Sequence, residues 1–434
     1  MTSGPQIIPR KQHTISRQNI SENALKVLYR LRDAGFEAYL VGGSVRDLLL
    51  GERPKDFDIA TSAHPEQVRD LFRNARLIGR RFRLAHILFG REIIEVATFR
   101  SAPSSLESVH HQQSETGQLV KDNVYGTVVE DALRRDFTIN SLYYSIDDFT
   151  VRDYVNGLAD LQQRQLRLIG DPEARYREDP VRMLRALRFA AKLDFSIAPE
   201  TAGPIPQMGE LLAHIPGARL FDEIQKIFTS GYAGACWELL TQYQLVSRLF
   251  PFYSLKVLQD RQSVSSLFIA QALRNTDERI QSGKHTSPSF LFAILLWHPM
   301  LGAMEALKDE GLSPLAALQK ATQHMLSKQL GHIAIPRRFL IAIREMWELQ
   351  LKLPRRHGDR AEKLLTHPRF RAAYDFLLLR EQAGEIEPGL GEWWRQYQEA
   401  DHTMRNTMSA ALSIKKAPSK KRQRRPKAPS VSQS

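Results

Sequence analysis

The chain has 434 residues, 42% of them hydrophobic and 25% charged, which is enough for two or three domains with sizeable cores. Its one cysteine, Cys236, excludes an intramolecular disulfide and a multi-cysteine zinc site, and its longest apolar run, FLFAILLW at 290–297, is too short to cross a bilayer and is expected to be a buried helix. The net charge of +13 favours polyanionic partners, and it is unevenly placed: KKAPSKKRQRRPK at 415–427 holds eight Lys or Arg and no acid, which leaves +5 for the rest.

The polar, basic start MTSGPQIIPRKQHTISRQ has no signal-peptide pattern, so the expected location is the cytoplasm, and residues 1–22 are expected to be a flexible extension. Ser21 is placed to cap a helix with Leu25, Leu28 and Leu31 on one side. EAYLV (37–41) reads as a strand that runs into Gly42 and Gly43 and then a short helix, VRDLLLG. DFDIAT (56–61) reads as a second strand, with Asp56 and Asp58 on one face and Phe57 and Ile59 on the other. PEQVRDLFR is helical in pattern, and RLAHILFG (83–90) and EIIEVATFR (92–100) predict a hairpin turning at Gly90-Arg91. The polar, patternless span 101–122 reads as a loop, and helical patterning dominates from about residue 130. From 396 the chain turns polar, and from 415 it is basic and of low complexity, a composition that predicts disorder.

Two aspartates at i and i+2 on a strand can bridge two divalent cations, one to activate an attacking oxygen and one to neutralise leaving phosphates. A lone D-x-D also arises on exposed edge strands, so its context decides. The Gly42-Gly43 strand-to-helix turn lies just upstream; its backbone N–H groups can face a phosphate, and Arg46 can add a charge-assisted hydrogen bond to a triphosphate. Asp47 reads as structural, holding the turn or Arg46. Glu95 either completes a carboxylate trio or pairs with a surface arginine such as Arg100. In LRRDFTIN (133–140), Arg135 and Asp136 either order the site, with Arg135 reaching the nucleotide, or form ordinary surface ion pairs.

In YREDPVRMLRALRFAAKLDF (176–195), Asp179 and Pro180 read as N-cap and first helical position. Met183, Leu184, Leu187, Ala190 and Ala191 form an apolar stripe, with Arg182, Arg185 and Arg188 opposite it. Those arginines are either a solvated face or, beside a carboxylate, a planar donor and acceptor set for a base edge.

Taken in order, G-G-x-V-R-D, D-x-D, R-R-D-F-T-I-N and E-D-P-x-R-x-L-R resemble the bacterial tRNA nucleotidyltransferase and poly(A) polymerase family, the class II branch of the polymerase-beta nucleotidyltransferase superfamily. The resemblance covers about 37–250, including YVNGLADL (154–161) and ARLFDEIQKIF (218–228). It implies an α+β fold: a small mixed-sheet catalytic head (23–155), then a helical neck for base recognition and RNA binding (156–250), a helical body (251–395) and a polar to basic disordered tail (396–434). It also implies that Asp56 and Asp58 bind two Mg²⁺ ions, with Glu95 and Asp136 as supporting catalytic acids. Gly43 with Gly42, Arg46, Arg135, Arg182 and Arg185 would bind the nucleotide, and Asp179 with Arg182 would read its base.

LIGRRFRLAHILFG (77–90) resembles the signature that separates bacterial poly(A) polymerases from CCA-adding enzymes, and the arginine-rich tail points the same way. Lys420, Lys421, Arg422, Arg424 and Arg425 are candidates to grip RNA backbone without regard to sequence; a generic solubilising segment is the alternative. No H-D phosphohydrolase motif follows, and His110 and His111 carry no assigned role. The expected activity is template-independent polyadenylation of RNA 3′ ends with ATP and Mg²⁺, with RNA-processing proteins as further partners. The alternatives are a CCA-adding tRNA nucleotidyltransferase and a catalytically silent RNA-binding protein. An intact D-x-D and G-G-x-V-R argue against the silent binder.

Overall fold

The computed structural model describes residues 4–79, 83–101 and 124–412. The tail lysines and arginines from 420 to 425, His110 and His111, and residues 80–82 of the 77–90 signature lie outside that range. The described residues form two compact units, one drawn from those within 4–260, 273–286 and 327–335, the other from those within 261–272, 287–326 and 336–412.

The first unit carries an eight-stranded mixed sheet. In chain order its first elements are β1 (Gln6–Ile8), α1 (Glu22–Asp33), β2 (Ala38–Val41), α2 (Gly43–Leu49), β3 (Asp58–Thr61) and α3 (Pro65–Leu71). Then come β4 (Ala75–Ile78), β5 (Leu84–Phe89), β6 (Glu92–Thr98), α4 (Val128–Arg134), β7 (Leu142–Ser145) and β8 (Val151–Asp153). The strand order is β1-β8-β7-β2-β3-β6-β5-β4, and every neighbouring pair is antiparallel except β3 and β6.

Ser21 caps α1 as its position predicts, its hydroxyl accepting the Ala24 N–H at 3.0 Å. The buried face of α1 is Ala24, Val27, Leu28 and Leu31, with Leu25 half-buried. β3 starts at Asp58, so Asp56 precedes the strand, yet the expected alternation holds: Phe57 and Ile59 are buried while Asp56 and Asp58 face out.

Two expectations are corrected in this unit. From residue 4 the N-terminal segment is not a flexible extension, because β1 pairs with β8 and Ile8, Ile15 and Ile20 are buried. Three isolated apolar residues on an edge strand and its turns create no periodicity to detect. The sheet also gains β7 and β8 beyond residue 130, where helix was expected. All four residues of β7 are buried, so neither face alternates with water.

Downstream, α5 (Gly157–Gln162), α6 (Pro172–Glu178) and α7 (Val181–Leu193) lead to helices Gly217–Phe228 and Ala233–Gln242, which pack on α7. Pro180, not Asp179, is the N-cap of α7; Asp179 ends α6, and its Oδ1 accepts the Val181 N–H at 3.3 Å. Met183, Leu184, Leu187 and Ala190 are buried as expected, together with Val181 and Ala186, while Ala191 is half-buried.

The second unit is helical. The apolar run is buried core from Leu291 to Trp297, with Phe290 half-buried, and Trp297, Trp347 and Phe376 form an aromatic cluster. Trp394 and Tyr397 of GEWWRQYQ are also core residues. Among the described residues no single helix is long and apolar enough to cross a membrane. The polar stretch after 396 is helical as far as it is described: Asp401 Oδ1 accepts the Met404 N–H at 2.8 Å and starts His402–Ala411. Expecting disorder there overlooked this cap.

Candidate active site

Strand register assembles the site. β2, β3, β6 and β5 are successive neighbours, and Val41, Asp58, Glu95 and His86 are paired across them in one row. Asp58 and Glu95 are thus side by side, and His86 Nε2 lies 3.3 Å from Glu95 Oε2. His86, not Arg100, is the partner the structure gives Glu95. Asp58 is exposed, but the protein packed around its carboxylate weakens its hydration, and the negative charges of Glu95 and Asp56 act in the same direction. Together they outweigh the Arg135 guanidinium and raise the Asp58 pKa to about 6. A divalent cation would relieve that repulsion.

Among the described residues no three or more His, Cys, Asp or Glu side chains close around a metal position by themselves. An open set of this kind fits Mg²⁺, which keeps water and substrate phosphate among its ligands and takes only one or two carboxylates from protein.

The glycine turn follows directly from Val41. Gly42 has φ +74° and ψ −135°, a backbone region open essentially only to glycine, and it sets the direction in which α2 starts. The N–H groups of the first turn of α2 have no partner within the helix. A Cβ at Gly42 would sit 3.7 Å from Arg135 Nη1, and one at Gly43 would sit 3.4 Å from Arg46 Nη2. Both guanidinium groups therefore border the turn.

Their roles differ. Arg46 is 3% exposed; its Nε donates to Asp47 Oδ1 at 2.8 Å and its Nη1 to Asn140 Oδ1 at 2.6 Å. In this structure its donors brace the turn from below, with Nη2 lying beside Gly43. Arg135 is held from behind. Its Nε and Nη2 donate to Asp131 Oδ2, Nε also reaches the Tyr143 hydroxyl, and that hydroxyl donates to Asp131 at 2.7 Å. These bonds aim Nη1 at the Gly42 side. Burial works to raise the Asp131 pKa, but Arg135, Arg134 and Tyr143 hold it below the usual carboxylate range.

Asp136 is enclosed. Its Oδ2 accepts Arg185 Nε at 2.9 Å and Nη2 at 2.5 Å; its Oδ1 accepts the Phe137 N–H at 2.8 Å and Asn140 Nδ2 at 3.3 Å. Burial opposes ionisation, yet Arg185 and these hydrogen bonds outweigh it and hold the group at about 2. A carboxylate so fully engaged can act by ordering the site, the supporting place expected of it, rather than by holding a metal. Asn140 joins it to Arg46, so one chain of hydrogen bonds runs from the glycine turn to α7. Phe189 lies within that chain, with the guanidinium carbons of Arg46 and Arg185 5.5 and 5.3 Å from its ring centre.

The arginines of α7 are not a solvated face. Arg182 Nη1 donates to Glu178 Oε2 at 2.6 Å and to the Arg175 carbonyl at 2.8 Å, and Arg188 Nε donates to Glu223 at 2.7 Å. Asp179 and Arg182 do not pair with each other; Asp179 Oδ2 accepts Arg219 Nη2 at 2.6 Å. Asp131, Asn140, Tyr143, His86 and Arg219 were not singled out from the sequence. Their roles depend on pairing across elements, which spacing along the chain does not report.

A mixed sheet with this turn and this carboxylate row defines a nucleotidyltransferase head. The poly(A) polymerase head domain matches residues 38–167, the probable RNA- and SrmB-binding site of polymerase A matches 194–256, and the arginine-rich C-terminus of polymerase A matches 310–428. The chain is 52% identical to Poly(A) polymerase I of Salmonella typhi over 96% of its own length and 91% of the relative's. It is 47% identical to that of Haemophilus influenzae over 90% and 88%. A CCA-adding enzyme of Levilactobacillus brevis is 42% identical but covers 48% of this chain and 50% of its own. The fold is shared with the Thermotoga maritima CCA-adding enzyme complexed with tRNA, at a TM-score of 0.61 and 19% identity over 96% of this chain and 91% of that one. The chain belongs to the poly(A) polymerase family.

Proposed function

We propose that this protein adds AMP residues from ATP to RNA 3′ ends without a template. The observation that carries this reading is the extent of likeness: relatives named Poly(A) polymerase I align over 96% of the chain, whereas the CCA-adding relative aligns over 48%.

In the reaction the RNA 3′-hydroxyl oxygen bonds to the α-phosphorus of ATP and the α–β bridging P–O bond breaks. Pyrophosphate leaves with the electron pair, and the hydroxyl proton passes to solvent. Asp56 and Asp58 would hold two Mg²⁺ ions, with Glu95 alongside. When bound, such ions lower the pKa of the attacking hydroxyl and neutralise the leaving phosphates. The turn at Gly42 and Gly43 and the Nη1 of Arg135 receive the triphosphate, while Arg46 adds its charge from beneath. Asp179, Arg182 and Arg185 line the approach to the base, Asp179 exchanging Arg219 for the nucleotide. The RNA strand is held by residues 194–256 and by the cationic tail, whose grip is electrostatic and blind to sequence.

Asp56→Ala and Asp58→Ala are expected to abolish AMP incorporation while leaving the circular dichroism spectrum and RNA affinity near those of the parent. Undiminished incorporation by either folded variant would overturn the assignment of the metal-binding acids.

A further inference from the structure

Asp56 also faces a cleft of about 890 Å³, walled by the segment before α1, by the loop leading into β3 and by the β5–β6 turn. That volume lies in the range of about 300–1,000 Å³ typical of ligand sites. Arg53, Lys55 and Arg91 line it, all exposed, and Gln18 and Asn19 line it from the segment before α1. The cleft also holds two acids besides Asp56. Glu92 already accepts Asn23 Nδ2 at 2.6 Å, which leaves Glu52 against the three cations.

The topology says which side of the site this is. The glycine turn follows β2, on one flank of β3; the cleft lies at the entry to β3 and to β6, on the other flank. In-line displacement at phosphorus requires the attacking and leaving oxygens to lie on opposite sides. With the triphosphate at the glycine turn, the attacking hydroxyl must come from the β6 flank, and the strand bearing it must occupy whatever opens there. We infer that this cleft is the subsite for the last nucleotides of the RNA primer. Arg53, Lys55 and Arg91 meet its phosphates, and Gln18 and Asn19 offer neutral hydrogen bonds to sugar or base edges. The inference rests on the reading above for the identity of the polymer and the placement of the triphosphate.

Two measurements on the full-length protein test it. In the first, a short RNA with 4-thiouridine at its 3′ terminus is photocrosslinked without ATP, and the attached peptides are mapped. Adducts within 51–57 or 91–93 are expected; adducts confined to other parts of the chain would overturn the proposal. In the second, the double variant Arg53→Gln, Arg91→Gln is assayed for single AMP addition. Removing two charged contacts should raise KM for the primer at least about tenfold, while kcat and KM for ATP stay within about twofold. A rise in KM for ATP with the primer KM unchanged would assign the cleft to the triphosphate instead. If the parent incorporated no AMP yet crosslinked within the cleft, the polymerase reading would fail while the RNA subsite stood.

Discussion

Three charged side chains show how environment, more than residue type, assigns a role. Asp58 is raised to about 6 by crowding and by its acidic neighbours, so ionised Asp58 opposes folding at neutral pH until a cation arrives. Asp58→Asn is therefore expected to raise the melting temperature of the metal-free protein and, if the proposed Mg²⁺ site is right, to remove any stabilisation by added Mg²⁺ that the parent shows. A lowered melting temperature would contradict the repulsion argued here. Asp136 is the opposite case, held at about 2 by Arg185 against an ordinary 3.8. The unfolded chain binds that proton more readily, so the stabilisation is complete above about pH 4 and fades as pH falls through about 2. It amounts to about 2 kcal/mol. Urea unfolding at pH 7 and at pH 2 should show Asp136→Asn less stable than the parent at neutral pH, with the gap closing in acid. That Arg46 borders the glycine turn was legible in the sequence because it follows the glycine pair closely. Its bond to Asn140 was not, since the two are 94 residues apart.

At the level of elements, the glycine turn and the β3–β6 ladder do most to place the chemistry. Gly42→Ala forces a side chain onto φ +74° and ψ −135°, a cost of about 1–3 kcal/mol. It should also raise KM for ATP, because the new methyl group would stand beside Arg135 Nη1. Equal stability and equal KM in the variant would show that the turn has no special conformational requirement. α1, β5, β6 and α7 could be read from the sequence because each buries one face more than the other, so the apolar period is visible; β2, buried throughout, is legible instead as a short apolar run ending at the Gly42-Gly43 turn. β1, β7 and β8 could not. β1 has one inward residue, β7 is buried on both faces, and β8 is three residues long. The boundary at Asp179 moved by one residue because Asp-Pro suits both the end of α6 and the start of α7.

Across the whole molecule, charge and family likeness point to one substrate class. The +13 net charge is divided between a mildly basic body and a tail with eight cations in 415–427. Deleting 415–434 is expected to weaken RNA binding, flatten its dependence on salt and shorten products, while single addition at saturating primer changes little. Unchanged product length and salt slope would remove the tail from the account. The family was legible from four short motifs in order. The choice between its two branches rested on 77–90 and on the tail, and the whole-length relatives support it. The most direct measurement is extension of two substrates by the purified protein with Mg²⁺ and single nucleotides: an arbitrary RNA and a tRNA lacking its terminal CCA. The account predicts a long ladder on the arbitrary RNA with ATP and little product with CTP. Addition of two C and one A to the trimmed tRNA, with the arbitrary RNA left untouched, would contradict it.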